Sequence, residues 1–78
     1  GAGLKNFSVV VGSFSLKANA EGLQQTLKSA GYDAQIAKNN DRNMYRVIAA
    51  TFADKAAAVT SKNQLRAKYA DAWLLFAK

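Results

Sequence analysis

The chain has 78 residues, with 11 Lys and Arg against 5 Asp and Glu for a formal net charge of +6, and it contains no His, Cys or Pro. That composition excludes zinc or haem ligation through His or Cys, a nucleophilic triad using His or a Cys thiolate, and a fold held by disulfides. The length allows one domain at most. Half of the residues are apolar, but sixteen of them are Ala, so the core is expected to be thin.

In chain order, Gly1-Ala2-Gly3 opens a stretch, residues 1–5, that reads as a cloning remnant or linker. Residues 6–78 are expected to form the single domain. Phe7 to Val11 is β-branched and aromatic, and Gly12-Ser13 breaks it, which predicts a strand. Leu16, Ala20, Leu23, Leu27 and Ala30 then recur at spacings of 4, 3, 4 and 3, the stripe of an amphipathic helix. Gly31 follows as its left-handed cap. Ala34 to Lys38 predicts a second strand, and Asn39-Asn40-Asp41-Arg42-Asn43 a polar hairpin loop. Met44 to Ala50 predicts a third strand. Asp54 is placed to cap a second helix whose buried side carries Ala58, Leu65 and Tyr69. Ala72 to Phe76 is the last strand.

Sliding the sequence on itself by 38 residues aligns the two halves without gaps. Phe7–Phe14 falls on Tyr45–Phe52, Ala34 on Ala72, and Ile36 on Leu74. The order strand, helix, strand, taken twice, predicts an α+β fold of the ferredoxin-like kind. It is a split βαβ-βαβ with a four-stranded antiparallel sheet and two helices on one face.

The sheet's other face is then the candidate binding surface. Alternation groups Phe7, Val9 and Val11 with Tyr45, Val47 and Ala49, and the aromatics send this set to the helices. Ser8, Val10, Met44, Arg46 and Ile48 go to the open side. The last strand is apolar on both faces. Leu74 is assigned to the open side, which turns Trp73 to the helices.

These marks resemble the SPOR domain, the sporulation-related repeat of bacteria. They are Phe7 and Val9-Val10-Val11-Gly12-Ser13-Phe14, then Ala20, Leu27 and Gly31-Tyr32. Met44-Tyr45-Arg46-Val47, Phe52, an Ala-rich helix and Asp71-Ala72-Trp73 complete the set. The resemblance implies a non-catalytic module that binds peptidoglycan, in particular glycan strands lacking stem peptides, and so carries its parent protein to septal or remodelled wall in the periplasm or cell envelope. Carried over by position, the glycan surface comprises Val10, Ser13, Met44, Arg46 and Leu74, with Ser8, Ile48 and Phe76 as neighbours. The sequence departs from the family at Val10, where many members have Gln, and at Met44, where some have an aromatic. No cofactor or metal is expected, no membrane insertion by this segment, and no nucleic acid; division or cell-wall proteins are possible partners. The competing readings are a protein-interaction or dimerisation module using exposed strand edges and, behind it, RNA binding through the open sheet.

Overall fold

The runs that read as strands and helices fold as such. The computed structural model describes residues 3–76, so Gly1 and Ala2 of the expected remnant, and Ala77-Lys78, lie outside the described residues. The elements are β1 (Phe7–Phe14), α1 (Lys17–Ser29), β2 (Gln35–Asn39), β3 (Met44–Phe52), α2 (Lys55–Leu65) and β4 (Trp73–Phe76). The strands form one antiparallel sheet in the order β2-β3-β1-β4. The expected fold class is therefore the observed one.

Local chemistry sets the ends of the elements. After α1 the Gly31 backbone takes φ +99°, its N–H donates to the Lys28 carbonyl at 3.0 Å, and the Tyr32 N–H reaches back to the Leu27 carbonyl at 3.0 Å. This is a Schellman ending, completed by Tyr32 packing into the cluster that holds Leu27. At the start of α2, the Asp54 carboxylate accepts from the Ala57 N–H at 3.1 Å and satisfies one of the helix's free donors. The start of α1 has no such side-chain cap. Leu16 stands there 63% exposed, off the buried stripe that the spacing gave it. In the β2–β3 hairpin, Asn43 takes φ +52°, the left-handed conformation that Asn tolerates.

The core lies between the sheet and the helices. Val9, Val47 and Ala49 from the sheet meet Ala20 and Leu27 of α1 and Leu65 of α2, with Ala34 and Ala72 at the strand entrances. Each fully buried Val or Leu contributes about 1.5–3 kcal/mol relative to exposure. The Gln24 side-chain amide donates to the Ala34 carbonyl at 3.0 Å, and Arg66 Nε donates to the Ala72 carbonyl at 2.9 Å. The two hydrogen bonds tie each helix to the strand that follows it.

Two bulges set which side chains leave the core. Val9 faces Ala50, Val10 faces Ile48 and Gly12 faces Val47, so Ala49 and Val11 are extra residues in their strands. Beyond each bulge the alternation is rephased. Ser13 now faces Arg46, and Ser8 faces Thr51, on the open side, while Phe14 and Phe52 join the core cluster. Strict alternation from Val9 would have turned Ser13 inward. Gly12 falls on the helix side, where a Cβ would sit 3.1 Å from Leu23 Cδ2 and 3.2 Å from the Phe14 ring. The absence of a side chain lets α1 lie close there.

The assignments on β4 are corrected. Val9 pairs with Leu74 and Phe7 with Phe76, which places Leu74 and Phe76 on the helix side; Leu74 packs against the core, and the Phe7 and Phe76 rings lie 5.1 Å apart. Trp73 and Leu75 take the open side instead. The cause is Ala72, fully buried in the core cluster, which fixes the phase of the strand.

Candidate functional site

The open face is built around the two central strands. β1 contributes Ser8, Val10 and Ser13; β3 contributes Met44, Arg46, Ile48 and Thr51; β4 adds Trp73 and Leu75, and β2 adds Gln35, Ala37 and Asn39. Of the expected glycan residues, Ser8, Val10, Ser13, Met44, Arg46 and Ile48 share this face. Leu74 and Phe76 do not.

The face has a sealed floor. Ser8, Val10 and Ile48 have no solvent-accessible surface, although they point away from the helices. Two covers account for this. Over one half, the Arg46 guanidinium carbon sits 5.2 Å from the centre of the Trp73 ring. Since β1 lies between β3 and β4, this contact crosses β1, and Val10, the direct partner of Trp73, lies beneath it. Over the other half, the chain before β1 folds back across the sheet. The Lys5 N–H donates to Thr51 Oγ1 at 2.7 Å, and Gln35 Nε2 donates to the Gly3 carbonyl at 3.2 Å. Beneath this strap the Ser8 and Thr51 hydroxyls are 3.0 Å apart. Thr51 Oγ1 also lies 3.4 Å from the Phe7 carbonyl, to which it donates. Gly3, Leu4 and Lys5, expected to be remnant or linker, thus contribute to the sheet face.

What a ligand meets is therefore the covers and the rim. Trp73 is 39% exposed, Ser13 is exposed, and Met44 and Arg46 are half-buried. A guanidinium attracted to an aromatic ring still carries five N–H donors in a planar fork. Such a group binds a carboxylate through two parallel hydrogen bonds. The indole beside it offers a flat apolar plane, and Ser13 and Asn39 offer hydroxyl and amide groups. The arrangement suits a ligand with flat apolar faces and anionic substituents. The aromatics of the two central strands, Phe7, Phe14, Tyr45 and Phe52, lie on the helix side instead.

Trp73 is the functional candidate that the sequence reading turned the wrong way. The signal was present in the internal alignment: Leu74 matches Ile36 and Ala72 matches Ala34, and inward Ile36 and Ala34 would have turned Trp73 out. Lys5 and Thr51 were missed because the strap has no periodicity and the bulge at Ala49 has no sequence mark of its own.

Comparison with protein families gives one assignment. The model of the SPOR domain matches residues 3–75. The chain belongs to the SPOR domain family. Among solved structures, this SPOR domain is similar to the solution structure of the peptidoglycan binding domain of the B. subtilis cell wall lytic enzyme CwlC. The TM-score is 0.76 and the identity 23%, with 100% of this chain and 96% of that chain covered. That likeness shows the fold. No curated protein matches the chain. The matched region begins at Gly3, so the strap lies inside it. Among the described residues of this SPOR domain, no group of three or more Asp and Glu could hold a metal ion, and no helix is long and apolar enough to cross a membrane.

Proposed function

We propose that this SPOR domain is a non-catalytic peptidoglycan-binding module that reads glycan strands lacking stem peptides. Family membership supports the wall ligand, and the CwlC domain, described as peptidoglycan binding, shares the fold. The observation that carries the finer reading is the Arg46–Trp73 pair on the open face. Wall glycan is a ribbon of hexoses with apolar ring faces. Removal of its peptides leaves free lactyl carboxylates, where an intact strand has neutral amides. The Trp73 ring and Met44 offer contact to sugar faces, Ser13 to hydroxyl and acetamido groups, and Arg46 to the freed carboxylate. Val10, Ile48 and Ser8 act beneath this surface, as the sealed support of the residues above them. Glycan freed of peptide arises where wall is being cut, so a reader of it would carry its parent protein to septal or remodelled wall in the bacterial envelope. The net charge of +6 adds long-range attraction to an anionic polymer.

Co-sedimentation with purified sacculi, before and after amidase digestion of the stem peptides, tests this reading. More domain in the pellet after digestion is expected, and Arg46→Ala should remove most of the gain. Equal pelleting on both preparations would refute the preference for peptide-free strands. No pelleting on either would refute the wall ligand.

A further inference from the structure

The strap anchors the backbone of a second cationic residue at the end of the candidate ligand face. Lys5 is exposed, its backbone N–H is fixed at 2.7 Å to Thr51 Oγ1, and Thr51 lies on the same face of β3 as Arg46. Thr51 lies five positions after Arg46 in β3, which at about 3.3 Å each is ~16 Å, somewhat less through the bulge. This spacing of the two backbone positions sets each cation on its own part of the sheet.

We propose that Lys5 is a second anion contact of the same site, held in place by Thr51, and that it makes binding depend on ligand length. The inference rests on the glycan reading above. A strand with carboxylates on alternate sugars reaches both Arg46 and Lys5 only if it is long enough to span them; a single disaccharide reaches one. The strap is then part of the recognition surface. The bulge at Ala49 is what makes this possible, since without it Thr51 would turn to the helices.

The test uses peptide-free glycan fragments, a disaccharide and an octasaccharide, titrated against the domain at low salt. Lys5→Gln keeps the backbone N–H and removes only the charge. It is expected to weaken the octasaccharide by about threefold, the scale of an exposed ion pair, and to leave the disaccharide unchanged. Thr51→Val releases the strap and should cause a similar loss, with no further loss when combined with Lys5→Gln. Thr51→Ser keeps the anchoring hydroxyl and should retain wild-type affinity. Circular dichroism confirms that each variant is folded. Wild-type affinity of Lys5→Gln for the octasaccharide, or an equal loss on both fragments, would overturn the proposal. If Arg46→Ala loses binding while Lys5→Gln does not, the length-reading role falls and the glycan reading stands. If the wild-type domain binds neither fragment, both fall together.

Discussion

The Arg46–Trp73 contact makes a quantitative prediction about the free domain. The guanidinium carbon is 5.2 Å from the ring centre, inside the range of about 6 Å for a cation–π attraction, and the indole is 39% exposed. This exposure puts the pair at the solvated end of the range, so it should be coupled by about 0.5–1 kcal/mol. Arg46→Ala loses that coupling and also uncovers part of Val10, whose complete exposure would cost about 1.5–3 kcal/mol. A total of about 1–2 kcal/mol follows. This is more than an ordinary solvated strand residue would show. Trp73→Ala loses the same coupling plus the buried part of a large ring. Urea unfolding of wild type, both single variants and the double variant at 25 °C separates the coupling from the packing terms. With an m-value near 1 kcal/mol/M for a domain of this size, the non-additive part corresponds to about 0.5–1 M in summed midpoints. A cycle that closes to within about 0.2 kcal/mol would refute the reasoning. The two groups would then be neighbours without attraction, and preorganisation of Arg46 by Trp73 would have to be given up.

Three further outcomes follow from the same geometry. Thr51→Val should destabilise more than Ser8→Ala. The first orphans the buried Ser8 hydroxyl, about 1–3 kcal/mol, and frees the exposed Lys5 N–H to water, whereas the second leaves Thr51 its bonds to Lys5 and Phe7; equal midpoints in urea would contradict the central place of Thr51 in this network. Asp54→Ala removes the α2 cap and should cost about 1 kcal/mol, seen as a melting temperature lower by roughly 4–8 °C; an unchanged melt would mean that water replaces the carboxylate. Phe76→Ala should spare glycan binding and Trp73→Ala should abolish it, measured by pelleting with amidase-treated wall; the reverse result would place the ligand at the helix-side edge of β4.

The fold was legible because each element carries its own local signal. The stripe from Ala20 to Leu27, Gly31 as a left-handed cap, Asp54 at an N-cap and the Asn-rich hairpin each act within one turn of chain, and the structure places them where the pattern put them. The face of each strand was legible only where large and small residues alternate. β1 and β3 do so up to their bulges. Trp73-Leu74-Leu75-Phe76 is apolar at every position, so burial preference cannot choose a face, and the choice passes to pairing with Val9 and to Ala72. Alanine is small enough to be read as filler, yet here it fixes the direction of the largest side chain on the open face.

The covers explain how so small a core coexists with a ligand face. A four-stranded sheet with helices on one side would leave Val10 and Ile48 in water, at a cost this alanine-rich core is poorly placed to bear. The chain seals them with groups that have a polar side to present: a guanidinium over an indole, and a strap whose carbonyl and N–H are bonded to Gln35 and Thr51. The stabilising elements are thus the same ones proposed for recognition. It follows that stability and binding should fall together for Arg46, Trp73 and Thr51, and separately for Asp54. A set of variants in which loss of binding at Arg46 or Trp73 carried no loss of stability would show instead that Val10 is sealed by the sheet alone.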